Sequence, residues 1–135
     1  MIQSRPFSST LRSELEFEKA ADETLESLCE RLEELIDDHD DMDGADVNLS
    51  SGVLTLELPE EYGTFVINKQ TPNQQIWLSS PQSGPARFDF VPEEKKWVYS
   101  RTKESLHAVL EREVGENILK QKINFEECFM GGSDQ

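Results

Sequence analysis

Residues 47–100 read VNLSSGVLTLELPEEYGTFVINKQTPNQQIWLSSPQSGPARFDFVPEEKKWVYS, and they decide the fold. The runs VNL, VLTLEL, TFVIN, QIWLS, RFDFV and WVYS are short, β-branched and aromatic. Between them stand SSG, PEEYG, KQTPN, SPQSGP and PEEKK, all turn chemistry. That spacing predicts an antiparallel meander. Alternation assigns its faces: Leu54, Leu56 and Leu58 point one way, as do Phe65 with Ile67, Ile76 with Leu78, and Phe88 with Phe90. The same alternation turns Gln75, Trp77 and Ser79 outward, with Asn68 and Arg87 on their neighbours. A tryptophan and a guanidinium on the polar side of a sheet form the kind of patch enriched at protein interaction hot spots.

Outward from the meander the hydrophobic period lengthens to that of a helix on both sides. Upstream, Ala21, Leu25, Leu28, Leu32, Leu35 and Ile36 recur at three- and four-residue steps, and Ser13 with Glu16 fits the capping box that starts a helix. Downstream, Leu106, Val109, Leu110, Val114, Ile118 and Leu119 predict a second helix from about Glu104 to Lys120. Helix, strands, helix implies an α+β fold: a two-layer α-β sandwich with the N- and C-terminal helices on one face of an antiparallel sheet of about five to seven strands. Residues 13–123 form one domain, and residues 124–135 a tail in which Ile123 just before it, with Phe125, Phe129 and Met130, packs in a groove. Length agrees, since 135 residues suit one core.

Charge is distributed as unevenly as the apolar residues. The chain has 28 acidic and 13 basic residues, a formal charge of −15. Between Glu14 and Asp46 stand fifteen acids against Lys19 and Arg31, a local balance of −13. Nucleic acid and anionic membranes are excluded as partners, because either would repel such a chain; cations and basic proteins suit it. At about 100° per residue, Asp22, Glu23, Glu26, Glu30, Glu33, Glu34 and Asp37 lie opposite the apolar stripe. Like charges four apart cost a helix about 0.2–0.5 kcal/mol each, so this face is not optimised for helix stability.

The loop IDDHDDMDGAD that follows, residues 36–46, adds Asp38, His39, Asp40, Asp41, Asp43 and Asp46. An EF-hand fails on spacing: with Gly44 at the sixth position, the first would be His39 and the twelfth Ser50, where carboxylates are required. No thiolate or histidine-rich set offers a tight transition-metal cage. Carboxylates on an open face suit either a solvated surface whose charge serves solubility and docking on a basic partner, or weak, exchangeable binding of hard or borderline cations with His39 as the candidate nitrogen ligand; His107 reads as merely exposed. Cys29 and Cys128 match neither a disulfide framework nor a zinc spacing and read as reduced thiols. With two histidines in the chain and no Ser/His/Asp or Cys/His constellation, nucleophilic catalysis has few players.

The blocks SGVLT at 51–55, VINKQTPNQQIWLSS at 66–80, SGP at 83–85 and WVYS at 97–100 resemble the frataxin family, with a weaker match, ADETLESL, in the first helix. The resemblance runs over about residues 14–123. It implies an α-β sandwich and an accessory role in mitochondrial iron–sulfur assembly, in which the sheet docks on a complex of cysteine desulfurase and cluster scaffold and accelerates sulfur transfer. Matching docking positions are Asn68, Lys69, Gln70, Gln75, Trp77 and Arg87.

The resemblance also implies a ridge that binds ferrous and ferric iron weakly. Glu14, Glu18, Asp22, Glu23, Glu26, Glu30, Glu33, Glu34, Asp37, Asp43 and Asp46 match it, joined here by Asp38, His39 and Asp41. Gly44 stands where many eukaryotic members carry an acid. The alternative activity attributed to the family is ferroxidase and iron storage. A ferroxidase centre requires bridging carboxylates and histidines in a bundle core, which a surface ridge does not supply. A monomer is expected, with iron-driven oligomers. The segment MIQSRPFSSTLRS has serine and arginine but no acid, and resembles the end of a mitochondrial transit peptide. Residues 1–12 are therefore expected to be flexible and the protein to work in the mitochondrial matrix.

Overall fold

A computed structural model describes residues 7–125 and 128–131, with side chains from Ser13 onward. In chain order the elements are α1 (Phe7–Asp37), β1 (Asp46–Ser50), β2 (Val53–Glu57), β3 (Thr64–Gln70), β4 (Gln75–Ser80), β5 (Gly84–Val91), β6 (Lys96–Val98) and α2 (Leu106–Leu110). The six strands pair in sequence order, every pair antiparallel, so the sheet is the predicted meander.

Burial follows the alternation read from the sequence. Leu54, Leu56, Leu58, Phe65, Ile67, Ile76, Leu78 and Phe88 join Phe17, Ala21, Leu25, Leu28, Leu32 and Leu35 of α1, and Leu106, Leu110 and Val114 of the second helix, in one cluster. Both helices therefore cover the same face. Trp97 is the largest fully buried side chain. It stacks on Phe90 at 4.9 Å, meets Phe17 edge-on at 5.8 Å, and donates its indole N–H to Thr24 Oγ1 at 2.9 Å. Thr24 in turn donates to the carbonyl of Ala20 at 2.7 Å, so no polar atom of this aromatic joint is left unbonded.

Three expectations need correction. The first helix begins at Phe7, not at the Ser13 capping box, which lies inside it. Nothing between Phe7 and Ser13 breaks a helix, and the nearest breaker in the sequence is Pro6, just ahead of the first helical residue, where proline is compatible with a helix start. Of the segment expected to be flexible, residues 1–6 lie outside the described residues. The second helix is capped at Ser105, whose hydroxyl accepts from Ala108 N at 3.1 Å, one residue beyond the predicted start.

After Leu110 that helix widens into π-type winding over Glu111–Leu119. Gly115 lies in this stretch and admits the returning chain. A Cβ there would sit 2.6 Å from Ile123 Cγ1 and 3.0 Å from the Gln121 carbonyl. Beyond it Ile123, Phe125 and Met130 are buried as predicted, while Phe129 is 40% exposed.

His107 is the third correction. It is buried at 2% exposure, with Phe125 edge-on at 6.4 Å, because the tail closes over the face of α2 that pattern alone would leave to solvent. Its ring nitrogens lack a well-formed hydrogen bond. Burial pushes it from 6.5 down to about 4, offset only in part by the main chain of Phe129. A histidine lowered by folding contributes stability above its unfolded pKa, and that contribution drains away as pH falls from about 6.5 toward about 4. The loss is expected to approach about 3 kcal/mol. Urea unfolding at about pH 7 and about pH 4.5 checks it: His107→Leu should flatten this acid limb, and an unchanged limb would assign it to other groups.

Candidate functional site

Two surfaces carry the residues singled out by sequence. On α1 and the following loop, Asp22, Glu26, Glu30, Glu33, Glu34, Asp37, Asp38, Asp41, Asp43 and Asp46 are exposed, and Glu23 is half-buried. The helical ones share the outward face of α1 in adjacent rows. Glu33 and Asp37 share a shallow recess of about 120 Å³ with Asp46 and Val47 of β1, and Asp22 and Glu26 share another with Leu49 and Gly52. Glu30 and Glu34, on the neighbouring flank, line a groove with Ser27, Arg31, Asn124 and Cys128. Arg31 pairs there with Glu34 at 3.5 Å. The ridge is thus one acidic face of α1 with recesses along its flanks.

The loop after α1 is built from tight turns, not from a chelating ring. Met42 N donates to the His39 carbonyl and Ala45 N to the Met42 carbonyl, with Gly44 at φ 82°. Met42 is buried and anchors these turns, so the aspartates around it splay outward. His39 Nδ1 lies 2.7 Å from the Leu35 carbonyl and Nε2 lies 2.9 Å from Gln121 Oε1. Its ring thereby ties the end of α1 to the segment after the second helix, and a cation on Nε2 would first have to displace Gln121. Among the described residues no three His, Cys, Asp or Glu side chains converge tightly enough to hold a metal ion. What the rows provide is a negative field over a hydrated surface, suited to attracting cations rather than enclosing them.

The second surface is the sheet face opposite the core. The register sets Asn68 beside Trp77 and Trp77 beside Arg87, one row across β3, β4 and β5. Gln70 pairs with Gln75 and Gln75 with Asp89 in the next row. Trp77 is held in place from two sides. Its indole N–H donates to Gln75 Oε1 at 2.9 Å, Gln75 Nε2 donates to Asp89 Oδ1 at 2.9 Å, and the Arg87 guanidinium lies 4.9 Å from the ring centroid. The relay from Trp77 through Gln75 to Asp89 was not read from the sequence, although the two-residue alternation of Gln75 and Trp77 hinted at it.

Lys69 does not belong to this face. Its partner across the ladder is the buried Ile76, so it points to the helix side. There its ammonium donates to Glu18 at 2.6 Å and Asp22 at 3.0 Å, while Thr71 donates to Glu18 at 2.5 Å. The Lys69 hydrogen bond, then that of Thr71, holds the Glu18 carboxyl below the usual carboxylate range, and the bond to Glu18 raises Lys69. Two acids of the ridge are thereby occupied in fastening α1 to β3. Parity alone carries this result, since Lys69 alternates with Asn68.

A half-buried tryptophan thus stands braced on the outer face of the meander, and an acidic helix covers the inner one. The sequence pattern of the frataxin-like domain matches residues 10–120. This chain belongs to the frataxin family. It is similar to the mitochondrial frataxin homologue of Drosophila melanogaster, 42% identical over 128 residues that cover 90% of this chain and 67% of that protein. Among solved structures it resembles yeast frataxin, with a TM-score of 0.67 at 43% identity over 89% of this chain and 94% of the other. It also resembles trimeric frataxin of Saccharomyces cerevisiae complexed with ferrous iron, with a TM-score of 0.62 at 42% identity over 84% and 87% of the two chains. The frataxin fold of two helices on a six-stranded sheet is thus common to this chain and those relatives.

Proposed function

We propose that this frataxin homologue is a mitochondrial accessory protein of iron–sulfur cluster assembly. It docks through the open sheet face on a complex of cysteine desulfurase and scaffold and activates sulfur transfer there. The observation that carries this reading is the braced Trp77, with its indole tied to Gln75 and the Arg87 guanidinium against its ring. Side chains held in one conformation before binding lose little entropy on docking, and Trp and Arg are the residue types that dominate interface energetics. Asn68, Gln70 and Gln75 surround it with hydrogen-bonding groups in adjacent register. Substituting Trp77 by alanine in a purified desulfurase–scaffold assay tests the reading, and undiminished activation would refute it.

Iron enters as cargo rather than as a resident cofactor. The α1 and loop carboxylates attract ferrous ions weakly and exchangeably, and the ferrous complex of the yeast relative supports iron as the cation. Of the ridge positions, Glu26, Glu33, Asp37 and Asp46 carry the reading best: they stand on the β1 side, and no partner cation pairs with them among the described residues. An anaerobic ferrous titration followed by NMR, with magnesium as control, is expected to broaden resonances in this row before those of Glu18 and Asp22, which hold Lys69. Broadening that magnesium displaces equally would reduce the ridge to a generic acidic surface.

A further inference from the structure

A recess of about 470 Å³ opens beside the docking row, lined by Gln75, Arg87, Tyr99, Ser100 and Arg101 among others. Its origin is a mismatch of strand lengths. β5 spans eight residues and β6 three, and their pairing covers only Asp89, Phe90 and Val91. From Gly84 to Phe88 the side of β5 away from β4 has no strand against it, and the chain from Tyr99 to Lys103 turns away, closed by the bond from Lys103 N to the Tyr99 carbonyl at 2.7 Å. The gap between the two is the recess.

Its charge is anomalous for this protein. Acids outnumber bases 28 to 13, so an exposed arginine would be expected to find a carboxylate. Of the four arginines with described side chains, Arg31 pairs with Glu34, and Arg112 pairs with Glu104 and Glu113. Neither Arg87 nor Arg101 has a carboxylate partner among the described residues, and those two line the same recess. The acid nearest in the β5 ladder, Asp89, is engaged with Gln75 through Oδ1. Arg87 joins the recess to Trp77, because it lines the one and lies over the other.

We infer that this recess is a carboxylate-binding subsite of the docking face. An aspartate or glutamate side chain of the protein partner is held between the Arg87 and Arg101 guanidiniums, with Tyr99 and Ser100 in the same lining. The planar fork of each arginine suits a carboxylate held by paired hydrogen bonds. Charge complementarity selects this occupant: on a chain of net charge −15, two neighbouring arginines without a carboxylate partner among the described residues form a local basic spot that favours an anion. The inference rests on the docking reading above and adds Arg101 and the chemistry of the partner to it.

The test measures affinity of the desulfurase–scaffold complex for wild-type protein and for Arg101→Gln, Arg101→Lys, Arg101→Glu and Trp77→Ala. Arg101 is exposed in a turn, so unchanged thermal midpoints are expected for its variants. Arg101→Gln should weaken binding about tenfold and flatten its salt dependence, Arg101→Glu about a hundredfold, with Arg101→Lys in between. Wild-type affinity in Arg101→Glu beside weakened Trp77→Ala would overturn the subsite and leave the docking face standing. Wild-type affinity in both would overturn the docking reading itself. An NMR titration with inorganic phosphate supplies the other arm: saturable shifts at Arg101 with undiminished partner binding would make the recess a small-anion site and reject the inference.

Discussion

Alanine at Trp77 is expected to lower affinity for the desulfurase–scaffold complex by a factor of about 30 to 1,000, as truncation of a central interface tryptophan costs about 2–4 kcal/mol. At subsaturating concentrations activation of sulfur transfer should fall in proportion. The same substitution should leave the fold nearly untouched. Trp77 is half-buried on the solvent side of the sheet, and its removal strips packing from Gln75 and Arg87 but opens no cavity in the core. A stability change of about 1 kcal/mol, a few degrees in thermal midpoint, is the expected scale. Desulfurase turnover measured against concentration of the variant separates the two effects, because weakened docking is overcome by excess protein and misfolding is not. Iron oxidation should be unaffected, since Trp77 lies on the sheet face opposite the one that α1 covers. Equal loss of both activities would place the tryptophan in the iron chemistry instead.

The opposite profile is expected at Trp97. It shares the letter but lies on the inner face, wholly buried between Phe17 and Phe90 and bonded to Thr24. Truncation to alanine removes the largest core side chain and should cost about 3–5 kcal/mol, close to the whole stability of some domains of this size. A fall of more than about 10 °C in thermal midpoint follows at this chain length. Thr24→Val resolves the polar part: it keeps the volume and leaves the indole N–H buried without an acceptor, for a cost of about 1–3 kcal/mol. Chemical denaturation of the two single variants and the double measures the coupling. A double variant no worse than Trp97→Ala alone is the expected result, because the hydroxyl then has no indole to serve. A loss under about 1 kcal/mol in Trp97→Ala would mean that the core collapses around the site, and the aromatic joint would not be what fastens α1 to β5 and β6.

Most of this molecule was legible before any coordinate. Apolar alternation at period two, broken by five turn sequences, leaves one arrangement that buries all inward residues together, and the helical stripes on either side had only that face to cover. The same pattern set Asn68, Gln75, Trp77 and Arg87 outward, and the ladder puts Asn68, Trp77 and Arg87 in one row with Gln75 in the next. Two readings failed for different reasons: at one position resemblance overrode parity, and at the other a distant contact intervened. Lys69 matches the docking surface by resemblance, yet its ammonium finds Glu18 and Asp22 some fifty positions away in sequence. His107 lies outside the apolar set read for its helix, and the return of the tail past Gly115 brings Phe125 against it.

The sequence by itself determined the α+β class, the strand order, the core and the family, because periodicity and block patterns are local quantities that repeat every two or four residues. It also determined that negative charge gathers in the first third of the chain. The tertiary structure alone decided how that charge is engaged: recesses along the flanks of the acidic face, two acids bound by Lys69, and an imidazole held by Leu35 and Gln121. It alone brought Arg87 and Arg101 together across the open edge of β5. The physical reason is the range of the forces. Side-chain periodicity is written along the chain, whereas hydrogen bonds and ion pairs act through a few ångströms of space between segments whose approach depends on strand lengths and on the path of the tail.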